Sequence, residues 1–204
     1  DIPMVGPGLR ASHLYRLTLR GTVDMVELTF LGNAAFAVES GATTLLVDPY
    51  VTDNPECPYD LPEVLDRVGP VDAACVTHAA ADHLGDALAL ATDHGVPVVT
   101  EPATERYLHE NGVDDGMTTL LVWGQTATVG ETTVRALEAH HVSIRTVGDD
   151  LVSGLPLAFL VDDGETRVLH LGDTAIFGDL RLFSDLYDPD VVLVGVGQAR
   201  AYDT

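Results

Sequence analysis

The stretch THAAADHLGD, residues Thr77 to Asp86, decides how the chain is read. It follows VDAACVT, a continuous apolar run of the kind that forms a buried strand. It leads into ALALATDHG, where apolar residues recur at helical spacing up to a stop at Gly95. His78, Asp82 and His83 gather imidazole and carboxylate groups on one turn, the donors that Zn²⁺, Mn²⁺ or Fe take. Ala80 puts a methyl group between them, where another ligand would be most useful. The turn is therefore either a metal site or the relic of one.

Outward from this turn, strands and helices alternate. PVVTEP reads as another short buried strand and ATERYLHENG as a helix stopped at Gly112. Residues 71–112 thus run strand, helix, strand, helix, which implies a partly parallel, covered sheet. On the N-terminal side MVELTFLG, AAFAVES and TTLLVDPY read as antiparallel strands ending at Asp48-Pro49. VTDNPECPYDLPEV is a loop dense in Pro, Asp and Asn, and LPEVLDRVG a short helix. On the C-terminal side TTLLVWG, QTATVG and TTVRALEAHH are β runs, LPLAFLVDDG and TRVLHLGDT form a hairpin, FGDLRLFSDLY is a helix and VVLVGVG a last buried strand. Residues 1–22 show no period and read as an irregular arm. Residues 23–204 read as a single α/β domain of two mixed sheets packed face to face with helices outside.

Four acid or histidine clusters fall at predicted strand ends, where a sheet presents residues to one edge. They are Asp48, then His78 with Asp82 and His83, then His140-His141, then Asp173. One such residue alone is usually a turn or cap; four at C-terminal strand ends point to a metal. Other chemistries find less support. Ser143 and Ser153 lack a Gly-x-Ser-x-Gly context, and Gly195-Val196-Gly197 is not a dinucleotide fingerprint. His94 and His109 fall on polar helix faces and read as solvated, and His13 carries no pattern. Trp123 and Tyr107 read as packing residues, and Cys75 as a small buried hydrophobe.

Charge narrows the partners. Asp and Glu number 32 against 10 basic residues, a net charge of −22, and every basic residue is Arg. Such a field repels nucleic-acid phosphates and anionic lipid heads, so neither nucleic acid nor a membrane is expected. An acidic, Lys-free composition resembles the proteins of salt-accumulating haloarchaea, where salt screens self-repulsion. No apolar run nears the roughly 18 residues of a membrane span, and no leader is visible; the cysteine usage leads to the expectation of the reducing cytosol, a cytoplasmic protein. Two cysteines, Cys57 and Cys75, make no disulfide framework.

VTHAAADHLGD resembles the metal-binding HxHxDH turn of the metallo-β-lactamase superfamily. ELTFLG, LLVDPY, AHHVS and HLGDT match its other segments in order, over about residues 25–197. The set is most similar to the small metal-dependent hydrolases that include L-ascorbate-6-phosphate lactonase-like proteins. The resemblance implies an αββα sandwich and one or two divalent ions, Zn or Mn. It implies that His78 and His141 belong to one metal, Asp82 and His83 to a second, and that Asp173 bridges them, with Asp82 and Asp173 carrying catalysis. Asp48, His140 and His170 would support the ligands from behind. The implied reaction is attack by a bridging hydroxide on a small ester, lactone or phosphorylated metabolite.

Three departures weaken that set. Ala80 replaces the second His of HxH, LGNAAF stands where relatives carry His-Gly-His-Ser, and the closing helix and strand with its final His are missing. Each metal would lose a ligand and be weakened or lost. The alternative, in another functional class, is a catalytically inactive member kept as a binding or structural subunit. Its uncovered C-terminal edge would then call for a second copy or a protein partner.

Overall fold

A computed structural model describes residues 15–20 and 25–195. The expectations for residues 1–14, for His13 and for the closing GQARAYDT lie outside these. The first sheet has seven strands in chain order: β1 (Tyr15–Arg20), β2 (Met25–Gly32), β3 (Ala35–Ser40), β4 (Thr43–Val47), β5 (Ala73–Cys75), β6 (Val98–Thr100) and β7 (Thr118–Leu120). β1 to β4 pair antiparallel, and β4 to β7 pair parallel, as the strand–helix alternation predicted. The expected irregular arm is corrected over 15–20. These residues form an edge strand in register with β2, from Tyr15 opposite Phe30 to Arg20 opposite Met25. Backbone pairing holds this strand, while Leu17 remains exposed; an edge strand needs no buried apolar face and so shows little pattern.

The helices beside this sheet are α1 (Leu61–Val68), α2 (Ala81–Leu84), α3 (Ala87–His94) and α4 (Pro102–Glu110). α1 starts where predicted because Asp60 and Glu63 cap each other's backbone reciprocally. The helix expected to run on from His83 is broken into α2 and α3. Gly85 has φ +46°, and a Cβ there would lie 2.3 Å from the Pro49 carbonyl oxygen. Asp86 then accepts the backbone N–H groups of Val51 and Thr52 at 2.9 and 2.8 Å. The last two residues of THAAADHLGD thus lock the turn onto the loop after β4.

The second sheet is built from β8 (Thr126–Val129), β9 (Thr132–Glu138), β12 (Leu157–Asp162), β13 (Arg167–His170) and β14 (Val191–Leu193), ordered β14-β13-β12-β9-β8. The hairpin β10 (Ile144–Val147) and β11 (Asp150–Ser153) stands apart as its own ribbon. Sequence reading missed this hairpin because most of its side chains are exposed and no apolar alternation marks it. α5 (Leu180–Tyr187) covers the outer face of the second sheet.

Three apolar layers follow from strand alternation. Leu45 and Val47 face the second sheet, while Leu46 between them faces α1, α3 and α4. On β12, Leu157, Phe159 and Val161 fill the space between the sheets, while Ala158 and Leu160 meet Phe183 of α5. These central strands are covered on both faces, which is why they read as unbroken apolar runs. The result is helix, sheet, sheet, helix, the architecture expected from the sequence. No helix among the described residues is long and apolar enough to cross a membrane.

Candidate metal centre

The strand ends converge as their sequence positions suggested. Asp48 follows β4, His78 follows β5, His141 lies beyond β9, and Asp173 lies beyond β13. Asp48 is fully buried and sits at φ +46°, a region that only Gly, Asn and Asp enter readily. It is held there by bonds on every side. Its backbone N–H donates to the Cys75 carbonyl at 2.8 Å. Its carboxylate accepts the Thr77 N–H at 2.8 Å, the Thr77 hydroxyl at 2.8 Å and His83 Nδ1 at 2.7 Å.

These bonds fix the protonation of two imidazoles. Because the Thr77 hydroxyl donates to Asp48, its oxygen is left to accept the proton of His78 Nδ1, 3.0 Å away. His78 is then the neutral tautomer with its lone pair on Nε2. Burial, with His83 beside it, holds its pKa down at about 4. His83 likewise gives its Nδ1 proton to Asp48 and presents Nε2 outward, 3.6 Å from an Asp173 oxygen. Burial would lower the His83 pKa, but the carboxylates of Asp48 and Asp173 override it and raise it to about 10. The hydrogen bond from His83 pulls Asp173 down to about 2.

His78 Nε2 is buried and has no hydrogen-bond partner among the described residues. Ligand atoms of His78, His83 and Asp173 all lie within 4.8 Å of one another. His141 joins from the second sheet, its Nε2 3.6 Å from Asp173 and its ring 5.1 Å from that of His78. Two neutral-capable imidazole nitrogens, a third imidazole and an ionised carboxylate are a donor set suited to a divalent transition metal. The residues present fit such an ion.

Some expected members lie elsewhere. Asp82 is exposed, and its carboxylate and carbonyl accept from Asn33 Nδ2 at 3.3 and 3.1 Å, outside the cluster. His140 is also exposed; it stacks on Phe177 at 4.0 Å and pairs with Glu138 at 2.9 Å. His170 does stand behind the site. Its Nδ1 accepts from the Gly172 N–H at 3.2 Å and its Nε2 donates to the Ala34 carbonyl at 2.9 Å, with Asp48 4.0 Å away. His109, expected to be solvated, is half-buried against Thr118. Cys75 is buried and its thiol is pushed up to about 12 by burial, in keeping with a packing role. Sequence reading missed Thr77, whose one hydroxyl orients both Asp48 and His78; its signal was its place between the strand and the first His.

The αββα layering and an imidazole–carboxylate cluster at the sheets' shared edge define a class. Residues 43–203 match the beta-lactamase superfamily domain, and the chain belongs to that superfamily. Within it, the chain is 38% identical over 175 residues to the UPF0173 metal-dependent hydrolase of Rubrobacter xylanophilus, spanning 84% of this chain and 70% of that one. It is 35% identical to the Archaeoglobus fulgidus UPF0173 metal-dependent hydrolase, over 84% of this chain and 71% of that one. Among solved structures, Igni18, a metallo hydrolase from Ignicoccus hospitalis, superposes with a TM-score of 0.72 at 27% identity, covering 85% of this chain and 71% of its own.

Proposed function

We propose that the chain is a metal-dependent hydrolase acting on a small ester, lactone or phosphorylated metabolite, with one divalent ion held by His78, His83, His141 and Asp173. The observation that carries this is His78 Nε2, a buried lone pair without a partner, set among the ligand atoms of His83 and Asp173. Asp82 in its exposed place and Ala80 as a methyl favour one ion over two. When bound, a divalent ion supplies Lewis acidity and lowers the pKa of water towards about 7. The chain's own residues do the rest. Asp48 and Thr77 turn both imidazoles so that their Nε2 atoms face the site. Asp173, partly exposed and held at a pKa of about 2, stays ionised. It is a weak base, so its part is to anchor charge and orient a water rather than remove its proton.

An open cleft of about 510 Å³ borders the site, lined by His141, His140 and Glu138 on one side and Trp123, Leu155 and Pro156 on the other. It offers a small organic substrate an apolar wall beside the ligands. We also propose that a second copy or a protein partner packs on the second sheet beside β14, where Val192 and Val194 are exposed among the described residues.

Elemental analysis of protein purified in high salt tests the metal; the expected result is near one equivalent of Zn, Mn or Fe per chain. Assay of that material on lactones, aryl esters and phosphate esters tests the reaction, with activity lost on chelation. A folded, metal-free chain that takes up no added metal would overturn this reading in favour of a catalytically inactive binding subunit.

A further inference from the structure

The mechanism leaves one buried carboxylate unused. Glu101 is completely buried at the start of α4. It accepts from the Ala103 N–H at 2.9 Å, the Thr104 N–H and hydroxyl at 2.8 Å each, the Leu155 N–H at 3.0 Å and the Ser143 hydroxyl at 2.9 Å. Three of these donors belong to the first turn of α4 itself. The other two, Ser143 and Leu155, come from the two ends of the β10–β11 hairpin, and no local reason requires them.

Ser143 passes the connection on. It is 1% exposed and lies two residues after His141. With its proton given to Glu101, its oxygen accepts the Ala79 N–H at 3.0 Å. Ala79 directly follows His78. The Ala79 carbonyl is held from the same hairpin, accepting from Arg145 Nη1 at 3.1 Å. That guanidinium is stacked 4.0 Å above the Tyr107 ring of α4. The residue after one imidazole is thus pinned at both its N–H and its carbonyl by residues two and four positions beyond another. At the far end of the hairpin a Cβ on Gly154 would lie 1.5 Å from Glu101 Oε2, so only glycine lets the chain come this close.

We infer that Ser143, backed by Glu101 and seconded by Arg145, is a positioning residue that sets His141 relative to His78 in the metal site. This rests on the metal reading above. His78 and His141 come from different sheets, and Ala80 provides no further imidazole to tie the turn to an ion. The Glu101–Ser143–Ala79 chain supplies the tie from protein alone. Outer partners of metal ligands are worth 10–100-fold in affinity, which sets the scale expected here.

The test uses the full chain in high salt, with Co²⁺ as the probe. Affinity is read by competition with a chelator, and ligand geometry by the visible Co²⁺ absorption bands. Ser143→Ala is expected to weaken Co²⁺ binding about tenfold or more and to shift the bands. Ser143→Thr, which keeps the hydroxyl, is expected to restore both. Leu160→Ala, in the core under α5, serves as a variant of general destabilisation that leaves affinity and bands unchanged. Should Ser143→Ala fail to fold, Arg145→Leu decides the matter, since it removes the half-buried contacts to the Ala79 carbonyl and the Tyr107 ring and leaves Ser143 and Glu101 in place; a shift of the bands supports the inference. Wild-type affinity and bands in the folded Ser143→Ala protein, or failing that in Arg145→Leu, overturn it alone. A wild-type chain that binds no Co²⁺ overturns the metal reading, and this inference falls with it.

Discussion

Glu101 and Asp48 are both fully buried carboxylates near strand ends of the first sheet, and their surroundings differ in how they finish. Around Glu101 the bonding closes on itself: backbone N–H groups and two hydroxyls surround it, and no polar atom of the group is left over. Around Asp48 the bonding is equally complete on the inner side, through Thr77 and His83, and then stops at His78 Nε2. An unsatisfied buried polar atom costs about 1–3 kcal/mol. A closed network builds the protein, whereas one that ends on a bare nitrogen beside a carboxylate and further imidazoles is arranged for something to arrive.

The largest effect that would sharpen this contrast is at the closed network. Glu101→Ala strands several buried donors at once, so equilibrium unfolding in high salt is expected to show a loss of about 3 kcal/mol or more. At the open network a different outcome is expected. His78→Leu removes the orphaned nitrogen while roughly keeping volume, so metal affinity falls by about 100-fold or more while metal-free stability holds or rises by about 1 kcal/mol. A large stability loss in His78→Leu would show the two clusters to be alike.

Proton release offers a finer probe. In the metal-free chain His83 is protonated up to a pKa of about 10, raised by Asp48 and Asp173. A raised pKa means its charge stabilises the fold fully below 6.5, and that contribution is lost as pH rises through about 10. Metal uptake at pH 8 must displace the Nε2 proton, so titration in weak buffer is expected to register about one proton released per ion. Uptake with no proton release would remove His83 from the ligand set.

Ala80→His would add an imidazole at the start of α2; its expected gain in metal affinity is about tenfold, or 1.4 kcal/mol, in chelator competition. No gain would mean that the turn has settled into a geometry of its own. The smallest effect concerns Glu39, directly across from Glu27 on the neighbouring strand. Burial and then the Glu27 charge raise the Glu39 pKa. The ionised pair therefore costs stability at neutral pH and ceases to as pH falls through the raised value. Glu39→Gln is expected to gain about 0.3 kcal/mol at pH 7, a gain that disappears in acid.

Much of this was legible in the sequence wherever burial on both faces or a shared strand end left a mark. LLV and LAFLV announced central strands because nothing polar can sit there. Asp48, His78, His141 and Asp173 stood out as candidates because each follows a strand, and His83 because it shares the turn with His78. The bonds of Asp82 to Asn33 were not legible, since the two are far apart in sequence and only the folded chain brings them together. His140 and His141 are adjacent, and the A-x-H spacing of the family resemblance favoured His141; in the structure His140 stacks on Phe177. The β10–β11 hairpin and the Glu101 network were invisible because their reasons are tertiary: Ser143 matters only where it meets Ala79 and Glu101.

The candidate metal donors are drawn from both sheets, with His78 and His83 on one side of the interface and His141 and Asp173 on the other. Neither half of the sandwich owns the site. A chain with only its first sheet formed would display the THAAADHLGD turn and still have little to offer an ion. Uptake of metal would thus work as a coincidence detector, reporting that both halves have formed and docked. Once in place the ion would act as a clasp between them, drawing tight a seam that apolar packing alone would otherwise hold.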